Sequence, residues 1–167
     1  HVASAVLDQQ GQPVSRWWPV AYALQRIGDE QAAPVLLTLL NTPGRYTASF
    51  AAKGLAATKS TRATGTLREI ITERRRDPAV VIQALRALTA LGDQASVPVI
   101  TKMVTDRSVT GVLKLEAIAA MSALIDVRGI DLLLDFVSDP TPSIRSGAFA
   151  ALARLEPTTF LSVLAGL

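Results

Sequence analysis

The stretch that decides the fold is residues 77–100, DPAVVIQALRALTALGDQASVPVI. Apolar residues recur three or four positions apart from Ala84 to Leu91, which predicts an amphipathic helix. Gly92 and Asp93 then form a polar break, where glycine can end one helix and aspartate can cap the next. Because apolar residues return after the break, the stretch predicts two helices joined by a short turn.

The same pattern recurs along the chain. Its apolar anchors are Leu24, Leu55, Leu88, Met121 and Leu152, spaced 31, 33, 33 and 31 residues apart. A small residue precedes each anchor: Ala23, Gly54, Ala87, Ala120 and Ala151. Three residues after the anchor, Ile27, Leu91, Leu124 and Leu155 complete the apolar stripe in four of five units. A small side chain at a fixed position lets consecutive helices approach closely.

A second apolar stripe begins twelve residues after each anchor, at Leu36, Leu67, Ile100, Leu133 and Leu164. Alanine and leucine together supply 48 of the 167 residues, and both favour helix over strand. A two-helix unit cannot bury its apolar faces alone, so copies must stack. The sequence therefore predicts an all-α fold, a right-handed α-solenoid or α-α superhelix of about five stacked helical hairpins.

These units resemble HEAT-like repeats. The resemblance rests on Asp77, Pro78, Arg86, Leu91, Gly92, Asp93 and Pro98, and in the last unit on Asp139, Pro140 and Arg145. Two turns depart from the pattern: Lys59 and Ser60 replace Gly-Asp in one, and Ile125 replaces the glycine in the other. Residues 17–55 are similar to HEAT segments of bacterial proteins that also carry a cyclophilin-type peptidyl-prolyl isomerase domain.

The repeat register divides the chain into units. We expect one HEAT-like domain over 1–167, with units at 1–12 (partial), 13–44, 45–77, 78–107, 108–139 and 140–167. Val2, Ala3, Val6 and Leu7 fall where a preceding unit's second helix would place its apolar residues. We therefore expect the chain to be a fragment of a longer protein, with neighbouring repeats or domains as partners; a short capping helix is the alternative.

The residue types that are missing restrict the chemistry. There is no cysteine, and the single histidine is His1. Thiolate nucleophiles, Cys/His zinc sites and Ser-His-Asp triads are therefore excluded or nearly so, and we expect neither a cofactor nor enzymatic activity from this chain. No apolar run is long enough for a membrane span. A net charge of +3 is too small to require nucleic acid as a partner.

The resemblance implies a non-catalytic scaffold that binds a protein or peptide on a concave face lined by the second helices. On that assumption, the polar positions expected to face the partner include Arg62, Glu69, Lys102, Arg128 and Asp135. Two alternatives stay open. The chain could be an accessory segment of a larger enzyme such as a cyclophilin-type isomerase, or an enzyme built on the repeats, such as a HEAT-like DNA glycosylase or a phycobilin lyase.

Three smaller features carry further expectations. Trp17 aligns with a packing position, whereas Trp18 could stack on a preceding repeat or contact a partner. Arg74, Arg75 and Arg76 follow a second helix and are expected to cap it electrostatically rather than to bind an anion. Asp131 and Asp135 lie one helical turn apart and are expected to be solvated rather than to bind a cation.

Overall fold

A computed structural model of the chain describes residues 6–109, 111–126 and 129–166. These residues form ten α-helices: α1 (Trp18–Ile27), α2 (Ala33–Leu40), α3 (Arg45–Ala57), α4 (Thr64–Glu73), α5 (Pro78–Ala90), α6 (Val97–Thr105), α7 (Gly111–Leu124), α8 (Ile130–Val137), α9 (Pro142–Leu155) and α10 (Pro157–Ala165). Short 3-10 turns at Glu30–Ala32, Thr61–Ala63 and Gln94–Ser96 lead into α2, α4 and α6. The prediction of an all-α fold is confirmed.

The helices form two compact units, His1–Asp93 and Gln94–Leu167. In the first unit α1, α3 and α5 pack side by side, α2 packs on α3, and α4 packs on α5. In the second unit α6 packs on α7, α7 and α8 pack on α9, and α9 packs on α10. Within each unit, helices from successive hairpins therefore stack as in an α-solenoid.

The five anchor residues are the centre of this packing. Each is fully buried, at 0% exposure: Leu24, Leu55, Leu88, Met121 and Leu152. Of the second-helix anchors, Leu36, Leu67, Ile100 and Leu133 are equally buried. These observations confirm that both stripes face a core.

Two apolar positions of the predicted stripes are exposed instead. Leu164 is 45% exposed, and α10 contributes no buried residue. The second helices α2, α4, α6 and α8 pack against the first helix of the following hairpin, whereas α10 packs on α9. Ile27 is 37% exposed because it is the last residue of α1, which ends at Gly28.

Polar residues in the turns begin and end the helices as expected. The Asp29 carboxylate accepts a hydrogen bond from the Gln31 backbone N–H at 2.9 Å, and Asp77 accepts one from Ala79 at 2.8 Å. Gly28 and Gly92 adopt left-handed conformations, with φ of 64° and 65°. Lys59 adopts the same conformation at φ 54°, so the second turn keeps its geometry without a glycine.

Gly54, the glycine among the five predicted small positions, lies close to two neighbouring helices. A Cβ atom at Gly54 would lie 2.9 Å from Leu36 Cδ2 and 3.3 Å from the Cα atom of Gln25. Since α3 packs on both α1 and α2, glycine is the residue that lets these helices approach.

Side chains that lie about one repeat away in the sequence, before or after, cap several helix ends. Arg76 Nη2 donates to the carbonyls of Leu40 at 2.9 Å and Thr42 at 2.7 Å, at the end of α2. Arg154 donates to Ser122 and Ile125, and Gln94 donates to the Leu124 carbonyl, at the end of α7.

The expectation that Arg74, Arg75 and Arg76 cap their own helix is therefore wrong for Arg76. The reason is geometric: α4 ends with Arg74 in a left-handed conformation at φ 52°, and the chain then turns towards the previous hairpin. Arg76 satisfies carbonyls of α2 that would otherwise lack a partner within the helix.

The first described residues form a turn before α1. The Asp8 carboxylate accepts hydrogen bonds from the backbone N–H groups of Gln10 and Gln12, at 2.9 and 2.8 Å, and Leu7 pairs with Pro13. Val2 and Ala3, assigned above to a preceding helix, lie outside the described residues. Among the helices described, none has the length and hydropathy needed to cross a membrane.

Candidate binding surfaces

In the first unit, two of the predicted binding residues lie on or beside α4. Arg62 is in the 3-10 turn that precedes α4, and Glu69 lies on α4 itself. Both side chains are exposed. Thr72 is also exposed, and its hydroxyl donates to the Arg68 carbonyl at 2.7 Å. This part of the second-helix surface is therefore polar and carries charges of both signs.

Arg68 on the same helix has a different role. Its Nε atom lies 3.2 Å from Oδ2 of Asp93, which follows α5. The Arg68 side chain is 39% exposed and that of Asp93 is 12% exposed. The ion pair links α4 to the turn that follows α5, so Arg68 supports the stack rather than facing a partner.

In the second unit, the predicted residues lie on two second helices. Lys102 is on α6 and Asp135 is on α8, and both are exposed. Thr105 and Ser138, three residues further along each helix, are exposed as well. Arg128 lies outside the described residues. The polar character expected for the second helices therefore holds at the described positions of this unit too.

Trp18 belongs to a cluster of rings on α1 and α3, which we call the aromatic patch: Trp17, Trp18, Tyr22, Tyr46 and Phe50. Trp18 stacks on Phe50, with ring centroids 5.7 Å apart and planes inclined at 30°. Tyr22 meets both rings edge-on, at 6.4 Å from Trp18 and 5.3 Å from Phe50. Trp18 therefore makes ring contacts within the first unit and remains 39% exposed, and its contact with a preceding repeat or a partner stays a prediction.

The expectation that Trp17 packs in the core is wrong. Trp17 is 66% exposed. Among the ring contacts described, it makes one, an edge-on contact with Trp18 at a centroid distance of 6.2 Å. Its alignment with Val81 fails because α1 begins at Trp18, so Trp17 precedes the helix, whereas Val81 lies within α5.

Sequence reasoning missed Tyr22, Tyr46 and Phe50. The available signal was their spacing: Trp18 and Tyr22 are four residues apart, as are Tyr46 and Phe50. Residues four apart share one face of a helix. Two such pairs on consecutive first helices predict adjacent rings once α1 and α3 are known to pack side by side.

The first helices of the first unit carry only positive charge. The basic residues of α1, α3 and α5 are Arg26, Arg45, Lys53 and Arg86, and these helices contain no aspartate or glutamate. Arg45 Nη2 donates to the Tyr46 hydroxyl at 2.7 Å, and its guanidinium carbon lies 4.6 Å from the Tyr46 ring centroid. The hydrogen bond and the charge of Tyr46 raise the pKa of Arg45, and the carboxylate of Asp77 raises it further.

Acidic residues do not gather into a metal site in the part of the chain that the structure describes. No group of three or more histidine, cysteine, aspartate or glutamate side chains there could hold a metal ion. Asp131 and Asp135 are both exposed on α8.

Comparison with known families agrees with the packing described above. The family model for HEAT repeats matches residues 39–122, about half of the chain, from the end of α2 into α7. The chain belongs to the HEAT repeat family. The model described as PBS lyase HEAT-like repeat matches residues 20–42, which cover most of α1 and all of α2. A comparison with curated proteins gives no match.

Membership of the HEAT repeat family sets the general character of the chain. HEAT repeats form helical scaffolds that are typically non-catalytic and commonly mediate protein interactions. Two described surfaces of this HEAT protein are candidates for binding: the charged, exposed sides of α4, α6 and α8, and the aromatic patch beside basic first helices.

Proposed function

We propose that this HEAT chain is a non-catalytic scaffold that binds a protein or peptide through the polar surface of its second helices. The observation that supports the proposal is the exposure of Arg62, Glu69, Lys102 and Asp135 beside fully buried anchors on the same hairpins. The apolar sides of α4, α6 and α8 are buried in the stack, and the opposite sides are available to a partner.

The mixed sign of this surface favours a polar protein surface over a nucleic acid backbone. A phosphate backbone is bound by closely spaced cations, and each acidic residue near the contact weakens that attraction. Here Glu69 on α4 follows Arg62 in the preceding 3-10 turn, and Asp135 belongs to the same unit as Lys102. We propose that the surface of these helices is the concave face of the solenoid and that Arg128 adds a further contact.

Charge reversal tests this proposal separately in each unit. The variants are Arg62→Glu with Glu69→Lys in the first unit, and Lys102→Glu with Asp135→Lys in the second. Proteins captured from a cell extract by the parent chain are quantified by mass spectrometry and compared with those captured by each variant. We expect the amount of captured partner to fall by about tenfold or more in at least one of the two variants, because complementary charges at an interface control association.

Arg75→Glu and Arg107→Glu are the matched controls, since both arginines are exposed and lie outside the second helices. Circular dichroism checks that all variants keep their helix content. Equal capture by the parent and both reversed variants contradicts a second-helix binding surface.

The sequence resemblance also supports a second proposal, in which the same scaffold is an accessory segment of a larger enzyme such as a cyclophilin-type isomerase. Binding through the second helices would then position the substrate protein for a catalytic domain elsewhere in the parent chain. The sequence of the parent open reading frame tests this directly. An open reading frame that encodes helical repeats and no catalytic domain contradicts this accessory role.

A further inference from the structure

We propose that the aromatic patch on α1 and α3 is a second docking site, which takes an acidic peptide segment that carries an aromatic or prolyl side chain. The site uses the first helices of the first unit and none of the second-helix residues named above. This proposal can therefore be tested separately from the proposed function.

Four of the rings in the aromatic patch are exposed, although aromatic side chains of this size are usually largely buried in a fold. Trp17 is 66% exposed, Tyr46 is 57% exposed, Tyr22 is 43% exposed and Trp18 is 39% exposed. Large aromatic side chains bury much apolar surface when they find a partner, and tryptophan, tyrosine and arginine are the residues enriched at binding hot spots. A contiguous group of such rings on a helix surface marks a site of interaction.

The patch also has a place for a side chain to enter. Trp18, Tyr46 and Phe50 line a shallow cleft with a volume of about 300 Å³. The aromatic walls suit a flat ring or a proline, which make favourable contacts with aromatic faces and edges. The apolar component of the peptide is inferred from this cleft.

The charge around the cleft selects an acidic partner. Arg26, Arg45, Lys53 and Arg86 lie on α1, α3 and α5, and these helices contain no acidic residue; Asp77, directly before α5, interacts electrostatically with Arg45. Arg45 is held over the ring of Tyr46, which is itself a wall of the cleft. A carboxylate next to an inserted ring would therefore meet a guanidinium that is already in position.

The distribution of charge between the units points the same way. Residues 1–93 contain 11 lysines and arginines against 7 aspartates and glutamates, whereas residues 94–167 contain 6 against 7. The net charge of the chain, +3, therefore comes entirely from the unit that carries the aromatic patch. Complementary charge steers a partner towards that unit before contact.

The ring geometry favours a peptide over single-stranded nucleic acid. Bases stack on free aromatic faces along a continuous cationic groove. One face of Trp18 is already stacked on Phe50, and the Arg45 guanidinium lies over the ring of Tyr46. What remains is a cleft for one side chain, with cations at its edge.

A selection experiment tests the proposal. A random peptide library displayed on phage is selected on the parent protein, and the enriched peptides are synthesised. We expect acidic sequences that contain phenylalanine, tyrosine, tryptophan or proline. Both tryptophans of the chain, Trp17 and Trp18, belong to the patch, so intrinsic fluorescence measures the binding of a tryptophan-free peptide at the site itself.

Two variants separate the two parts of the site. Tyr46→Ser removes a wall of the cleft, and Arg45→Glu reverses the fixed cation; both residues are exposed, so the fold is not at risk. Each is expected to weaken peptide binding by about tenfold or more. The matched control is Leu115→Ser, since Leu115 on α7 is 53% exposed but lies in the other unit beside Glu116.

The outcomes that overturn the proposal are distinct. No enrichment, enrichment of basic peptides, or binding unchanged in Tyr46→Ser and Arg45→Glu would each exclude an acidic-peptide site on the patch. Quenching of the tryptophans by a poly(dT) oligonucleotide but not by the selected peptides would assign the patch to nucleic acid. A dimer measured by light scattering and lost in Tyr46→Ser would assign it to a second copy of the chain.

Discussion

Replacing Gly54 with alanine tests the close packing of α1, α2 and α3. The added Cβ would lie 2.9 Å from Leu36 Cδ2, 3.0 Å from Leu36 Cδ1 and 3.3 Å from the Cα atom of Gln25. Leu36 is fully buried and has no solvent to move into, and the Gln25 contact is with backbone. Gly54→Ala therefore forces either a side-chain or a helix displacement.

Two opposing effects determine how much Gly54→Ala changes the stability of the fold. Alanine in a helix interior is about 1 kcal/mol more favourable than glycine. Overpacking a close-packed core costs about 1–3 kcal/mol, and three short contacts place Gly54 in the upper half of that range. The net loss of stability is about 1–2 kcal/mol, which lowers Tm by about 3–6 °C for a chain of this length.

Thermal and urea unfolding followed by circular dichroism measure the change. Gly65→Ala is the matched control, because Gly65 lies on α4, is exposed and has no atom within 4 Å of an added Cβ. That variant should be neutral or more stable by up to about 1 kcal/mol. A Gly54→Ala variant as stable as the parent, or more so, would refute the close approach inferred at Gly54.

Two further substitutions test other parts of the fold. Lys59→Gly should stabilise the chain by about 0.5–1 kcal/mol in urea unfolding, because Lys59 has φ 54° and glycine adopts that conformation without steric cost. Lys53→Gly within α3 should lower the free energy of unfolding by about 1 kcal/mol. A change of the same sign in both glycine variants would contradict the strain inferred at Lys59. Arg76→Met should lose about 1.5–3 kcal/mol, because the carbonyls of Leu40 and Thr42 lose a charged donor. Arg75→Met, at an exposed position, should change unfolding by less than about 0.5 kcal/mol, and an equal loss in both would rule out a capping role for Arg76.

The helices and their core could be predicted from the sequence because the signal is repeated. A single amphipathic stripe is weak evidence, but the same register around Leu24, Leu55, Leu88, Met121 and Leu152 leaves few alternatives. Every one of these anchors is fully buried. The turn at Lys59 was uncertain because periodicity carries no information on which non-glycine residue adopts a positive φ.

The candidate sites were less predictable because they depend on neighbours in space. Helical spacing correctly placed Glu69 and Lys102 on exposed sides of second helices. Trp17 was assigned to the core because the repeat register was extended past the start of α1, where it no longer applies. The aromatic patch joins Trp18 to Phe50 across two helices, and that contact requires the packing of α1 on α3.

The backward reach of Arg76 and Arg154 has a consequence for folding during synthesis. Both side chains complete a helix end that was synthesised about thirty residues earlier. The ends of α2 and α7 therefore gain these donors only after the following hairpin has been made. The same dependence guides the design of shortened chains: a cut after residue 76 keeps the closure of α2, whereas a cut after residue 73 removes it.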